Sequence, residues 1–468
     1  MAGASLVSGA RDRVDARGCE HRFTVEWLPG APDLLEVARE HAGEAPLFYF
    51  ENPEAREAMV GVGVSHAVCT SGPRRFESAS AEALGVLARA VDGGCGDAAG
   101  SPAPGVDVGP RFVGGFAFSA ADHGAAAWRE FPSCAMFLPQ RLWLRCDQGY
   151  WLVTSTACDA GRRWTAHDAG PVAPVDARAG DSEVVDRERW SARVGKVLSM
   201  VAEGGVEKVV LSRHRSLAGE RAGGTDGDGR REVAGDVADV VGRLRAARPG
   251  CHTFWVAPGT THFFGSSPEL LLRCRSSVVE TQAVAGTIRR GKSVDEDRRL
   301  GTRLIRSAKN LREQRAVTRA IESALRPVAA SMSVADMPEL LALPEAYHLL
   351  TPITARLREP AGALELASIL HPTPAVCGAP RDAAYTLLES EEAGRGWYTG
   401  GVGWLGPGGD GTFAVALRSA LTDGASTTLF AGAGIVEGSD ADAEFDETEL
   451  KMGAIGRQLQ AAGGARES

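Results

Sequence analysis

Three carboxylates on two predicted helices carry the first chemical signal, because their spacing gives them a direction. Glu313 precedes Val317, Ile321 and Leu325 by steps of four. In a helix those positions form one stripe, so Glu313 lies in line with an inward-facing apolar row. A lone glutamate there commonly ends the stripe and reaches solvent. A second cluster, AEFDETELK at 443–451, weakens that reading. Its Glu444, Glu447 and Lys451 share a face that Ile455 and Leu459 continue as apolar residues. Taken alone, this cluster favours a Glu447–Lys451 surface pair worth roughly 0.2–0.5 kcal/mol. Two helices that both turn carboxylates inward would instead suit a hard divalent cation such as Mg2+, which takes oxygen ligands and often shares them with an anionic substrate. No His or Cys lies near these glutamates in sequence, which argues against zinc.

Lys208 sits inside VEKVVLSR (206–213), where alternation places Lys208, Val210 and Ser212 on one side. A lysine buried in such a strand must be paired or neutralised, and burial can make it a general base. From spacing alone, a strand-edge lysine reaching solvent is favoured. Glu269 follows Ser-Ser-Pro in FFGSSPELLLR. In a dry pocket its carboxyl would stay protonated and donate a proton, whereas the bland role is a turn-capping acid. Gly286 with Thr287, and Gly432 in AGAG (431–434), let backbone amides approach an anion, with tight sheet packing an equal alternative. Arg418 in ALRSAL can hold a carboxylate bidentately or form a buried structural ion pair.

Elements of both kinds must position these groups. Strands are predicted at 111–119, 136–145 and 148–155, then 206–213, 262–274, 278–286, 412–421 and 427–436. Helices are predicted at 187–203, mostly along 295–325, and at 443–459. Loops fall at 93–110, 157–181 and 218–230. This irregular alternation indicates α+β rather than a doubly wound parallel sheet. The 468 residues allow one large domain or two to three ordinary ones. The net charge of -9 argues against nucleic acid as a partner, so an anionic ligand needs a local cationic site. No apolar run of about 18 residues signals a membrane helix, and the N-terminus lacks a secretory apolar segment. The nine scattered cysteines form no C-x-x-C pair, which fits a cytoplasmic location.

In order along the chain, EKVVLSR (207–213), FFGSSPELLLR (263–273), TQAVAGTIRRG (281–291), YHLLTP (347–352), LHPTPAVCG (370–378), RGWYTGGVGW (395–404), LRSA (417–420), LFAGAGIVEGSD (429–440) and EFDETELK (444–451) resemble the chorismate-binding enzymes. PRFVGGFAFS (110–119) and FPSCAMFLPQRL (131–142) resemble the isochorismate synthase branch. The resemblance implies one large α+β domain of packed antiparallel sheets with helices outside and a deep cleft. Within it, 21–185 would be the sheet-rich N-terminal part and 186–462 the catalytic part, with 1–20 a flexible N-terminus and 463–468 a tail. It also implies chorismate as substrate, Mg2+ as cofactor and a monomer. By motif position, Lys208 would activate water and Glu269 would protonate the departing C4 hydroxyl. Glu313 and Glu447 would hold Mg2+, with Glu444 beside them through water. Arg418, Tyr398 and the Gly432 amide would hold the enolpyruvyl carboxylate. Gly286, Thr287 and Lys451 would help bind the ring carboxylate and the metal, and His348 would lie in the cleft.

Within the family, Lys208 favours water over ammonia, since aminating relatives typically carry Gln there. Ala285 stands where one kind of aminodeoxychorismate synthase has a nucleophilic lysine. Ala375 matches the alanine typical of isochorismate synthases, where salicylate synthases usually carry threonine. The implied activity is therefore isochorismate synthase. The alternatives are a salicylate synthase that goes on to eliminate pyruvate, an aminating enzyme, and a non-catalytic binding relative. Asn310 and Gln314 depart from the acidic residue and the histidine common near the metal, and remove charge or proton-transfer capacity there. The downstream pathway is open between a siderophore and a quinone.

Overall fold

The computed structural model describes residues 21–92, 108–120, 126–156, 164, 183–218, 229–392 and 394–463. Two sheets dominate it, one of twelve strands and one of ten, the latter a path of nine with one further strand paired beside it. Strands from before residue 160 and after residue 200 enter both sheets, so neither half completes a sheet alone. All strand pairs among the described residues are antiparallel except Arg22–Leu28 with Val91–Asp92.

Alternation explains the layers. In LFYF (47–50), Phe48 and Phe50 point between the sheets and meet Val113, Phe137 and Trp404 of the other sheet. Leu47 and Tyr49 point the opposite way, against Leu35, Val241 and Met452 of the helices. A strand covered on both faces reads as a continuous apolar run. The outer face of the other sheet carries Leu272, Val279 and Ile353, and it receives Val317, Ile321 and Leu325 of the helix Ala308–Leu325. The result is a single α+β domain with two central sheets and helices on the outside. No helix among the described residues is long and apolar enough to cross a membrane.

Several predicted elements break where the structure changes sheet. The run 262–274 is two strands, His262–Ser267 and Leu270–Arg275, in different sheets. The run 412–421 likewise splits into Gly411–Val415 and Ser419–Thr422. These halves pair with one another, so a two-stranded ribbon crosses from one sheet to the other. Pro268 offers no ladder donor and Arg418 has φ +47, so neither strand can continue there. The run 136–145 splits at Pro139 into Cys134–Leu138 and Arg141–Cys146. The predicted helix 295–325 is two helices, Val294–Arg306 and Ala308–Leu325. Ser307 is extended at ψ 113 and its Oγ accepts from Asn310 N, so it caps the second helix instead of joining it to the first. The remaining helices and the strand Ser426–Val436 match their predicted positions to within a few residues. Residues 1–20, most of the three predicted loops and 464–468 lie outside the described residues.

Candidate active site

A cleft opens between the strands Lys208–Ala218 and Ser426–Val436 of one sheet and Val278–Arg289 and Ala346–Leu357 of the other. The helices Ala308–Leu325 and Ala441–Gly463 close its sides. Lys208, Glu269, Gly286, Thr287, Glu313, His348, Ala375, Tyr398, Arg418, Gly432, Glu447 and Lys451 all line it. Glu444 is not among the lining residues.

Lys208 reaches no edge. It pairs with Ala379 on one flank and Val436 on the other, which overturns the strand-edge reading. Its side chain is 10% exposed, and Nζ donates to Glu313 Oε1 at 2.7 Å. Val210 and Gly434 are partners in register, and both face the cleft beside Lys208. A Cβ on Gly434 would stand 2.7 Å from Lys208 Cε, so that glycine makes room for the lysine. In sequence, only the AGAG run at 431–434 marks this glycine, and nothing local ties it to Lys208.

Glu269 and Arg418 meet where the ribbon crosses between sheets. Val415 N donates to Glu269 O at 3.0 Å, and Ser266 N donates to Arg418 O at 3.1 Å. Burial pushes the Glu269 carboxyl up to about 7, against the pull of the Lys208 and Arg418 charges. The side chain is thus a buried acid that titrates near neutrality, well above an ordinary glutamate. Arg418 Nε donates to Glu345 Oε1 at 3.3 Å, and Arg248 lies 3.5 Å from the other oxygen of the same carboxylate. Arg418 is therefore both cleft wall and buried ion pair. Glu345, its anchor, carried no signal in sequence, since nothing local marks a carboxylate 73 residues away as its partner.

On the last helix, Lys451 Nζ contacts Glu447 Oε1 at 2.6 Å and donates to Gly432 O at 2.7 Å. The Glu447–Lys451 pair thus exists, but it faces the cleft. Burial raises the Glu447 carboxyl, and the Lys451 charge outweighs that and holds it below the usual range. Glu444 is raised, first by burial and then by the Glu447 charge. Opposite, Gly286 has φ +68 at a bulge in its strand, and the Asn310 side chain packs 3.1 Å from where its Cβ would be. Thr287 Oγ1 bonds His348 Nδ1 at 3.1 Å. Burial, then the Arg418 and Lys451 charges, hold His348 neutral, with its pKa lowered to about 3. Among the described residues its buried Nε2 has no hydrogen-bond partner. Tyr398 stacks on Phe430 at 5.2 Å between ring centroids.

The donor chemistry suits a hard cation. Glu313 and Glu447 present carboxylate oxygens to one cleft from two helices, and Glu444 feels the Glu447 charge. Among the described residues, no three His, Cys, Asp or Glu side chains gather closely enough to hold a metal by themselves. Glu313 and Glu447 would supply part of the oxygen ligands for such a cation, and water and an anionic ligand the rest. The two departures lie one turn apart on the same side of their helix. Asn310 Nδ2 donates to Ser307 Oγ at 2.9 Å beside Gly286. Gln314 is buried and donates to Ala283 O at 2.9 Å and Thr351 Oγ1 at 2.8 Å. It fastens the helix to the sheet and does not line the cleft.

A sequence model described as "Chorismate binding enzyme" matches residues 22–460. The salicylate biosynthesis isochorismate synthase of Pseudomonas aeruginosa is 33% identical over 442 residues, 91% of this chain and 87% of the relative. The isochorismate synthase MenF of Bacillus subtilis is 31% identical over 372 residues, 77% of this chain and 76% of the relative. In fold, the chain resembles the menaquinone-specific isochorismate synthase MenF of Escherichia coli with a TM-score of 0.72 at 24% identity, covering 94% of each chain.

Proposed function

The chain belongs to the chorismate-binding enzymes, and we propose that it is a Mg2+-dependent isochorismate synthase. The observation that carries this reading is Lys208 and the buried Glu269, whose carboxyl is pushed up to about 7, lining one cleft with the cations Arg418 and Lys451. Lys208 acts as general base toward the water that attacks C2 of chorismate. Glu269 gives its proton to the C4 hydroxyl, which leaves as water while the ring double bonds shift. One water enters and one departs, so the product is an isomer of the substrate. Arg418, held by Glu345, and the Gly432 backbone bind the enolpyruvyl carboxylate, with Tyr398 beside them. Glu313 and Glu447 would hold Mg2+, which offsets the charge of the ring carboxylate. Neutral His348 offers an open Nε2 to the bound ring without adding charge.

The test is incubation with chorismate and Mg2+ followed by mass spectrometry. An isomer of unchanged mass is expected. Its absence overturns the proposal. Salicylate would instead show a pyruvate-eliminating enzyme, and an amino product formed with ammonia an aminating one. Lys208→Ala should bind chorismate without turnover, and equal turnover in that variant would remove Lys208 from the role of base.

A further inference from the structure

The protein is acidic, yet the helices beside its cleft are strongly basic. Between Arg289 and Arg326 there are twelve Lys and Arg against five Asp and Glu, a local excess of seven positive charges. The rest of the chain carries thirty-nine against fifty-five. Two of the twelve are neutralised locally, Arg289 by Glu296 and Arg290 by Asp297. On the two helices themselves, Arg298, Arg299, Arg303 and Arg306, then Lys309, Arg312, Arg315 and Arg319, are exposed. None of these eight has a carboxylate within ion-pair distance among the described residues.

The arrangement follows the helical period. On Val294–Arg306, Leu300 and Leu304 are buried while Arg299, Arg303 and Arg306 share the opposite side. On Ala308–Leu325, Val317, Ile321 and Leu325 are buried, while Arg312, Arg315 and Arg319 face away. The same helix turns Glu313 into the cleft and packs Asn310 against Gly286. Lys309 lies close enough to Glu444 to act on its carboxyl. The basic surface therefore begins at the cleft mouth. Eight like charges on adjacent helices repel one another and lower stability, so a solvated surface alone gives no reason to collect them there.

We infer that the exposed basic face of these two helices is an electrostatic guide that draws the dianionic substrate to the cleft against the negative charge of the whole protein. The inference rests on the chorismate reading above. A stripe of uncompensated charge beside a cleft raises the local concentration of a counter-charged ligand, and salt weakens the effect. Inside the cleft, Arg418 and Lys451 are already paired to Glu345 and Glu447. Long-range attraction thus comes mainly from outside it.

The test is a quadruple variant, Arg299→Glu, Arg303→Glu, Arg312→Glu and Arg319→Glu, beside the matching set of Arg→Gln changes. All four positions are exposed, and thermal melting checks that both proteins fold. At about 0.01 M ionic strength, where the Debye length is about 30 Å, the Glu set should lower kcat/KM on the order of ten-fold and the Gln set about three-fold. The ratio to the parent protein should approach one at about 1 M, where screening acts within about 3 Å, and kcat should not change. A ratio that stays the same at both ionic strengths overturns the guide. So does an unchanged kcat/KM at low salt, which would leave the face to an acidic macromolecule. Equilibrium binding of chorismate, measured in parallel, gives the same ratio without turnover. A parent protein that binds but does not convert chorismate therefore refutes the catalytic reading and still tests the guide.

Discussion

Replacing Glu269 by Gln should make the protein more stable and nearly inactive, with the stability gain confined to one pH range. Glu269 is 4% exposed and its carboxyl sits at about 7 instead of 4.5, because burial outweighs the nearby Lys208 and Arg418 charges. A gap of about 2.5 pH units corresponds to about 3 kcal/mol. The folding chain takes up a proton at this site between about pH 4.5 and 7. Below that window the site costs nothing; stability erodes as pH rises through it, and above about 7 the full cost is present. Gln carries no charge to desolvate, so the variant escapes the cost. At about 2.1 cal/mol/K per residue, 468 residues give a melting entropy of about 1 kcal/mol/K, so 3 kcal/mol is about 3 °C. Thermal melts of Glu269→Gln and the parent should therefore coincide near pH 4.5 and differ by about 3 °C at pH 8, the variant higher. The same change removes the proton donor, so kcat should fall about 10^2- to 10^4-fold. A melting difference that does not vary with pH would show that the carboxyl is not held protonated. Parent-like kcat in the variant would show that its proton is not used.

Gly434→Ala should cost at least about ten-fold in kcat, since its Cβ would stand 2.7 Å from Lys208 Cε; steady-state kinetics at saturating chorismate would show the loss. Arg395 donates to Val376 O at 2.7 Å, Val210 O at 2.6 Å and Glu392 Oε2 at 2.5 Å, tying the strand of Lys208 to the segment of Ala375. Arg395→Met leaves Glu392 buried with one guanidinium fewer, so its melting temperature should drop by about 3–5 °C from a loss of about 3–5 kcal/mol, and Arg395→Lys should recover only part of that. His252 and His262, lowered to about 4, and His371, lowered to about 3, are kept neutral chiefly by burial. The unfolded chain protonates them first as pH falls below 6.5, so stability should drop by about 2 kcal/mol for each at pH 5, seen as a lower melting temperature that a His→Gln change at any one site relieves.

Periodicity alone determined the directions of several side chains. The four-residue steps from Glu313 to Leu325 aligned that carboxylate with the core stripe, and the helix Ala308–Leu325 buries Val317, Ile321 and Leu325 as the pattern requires. The spacing of Glu444, Glu447 and Lys451 placed them on one face, and the ordered motifs named the residues that converge on one cleft. Only the tertiary structure decided what those directions meet. Lys208 proved to be an interior lysine because two strands, one of them more than 200 residues later, flank it. Glu313 meets it across 105 residues of chain. Glu444 stands outside the lining although it shares a helix with Glu447. Gln314, adjacent to Glu313, turns into the core. The breaks at Pro268 and Arg418 became sheet crossings because each half of those runs found a partner in a different sheet. A local pattern fixes which way a side chain points within its own element. Whether that side chain ends in water, beside a countercharge or in a dry wall depends on segments distant in sequence. The loss of water that holds the proton on Glu269 is a property of all of them together.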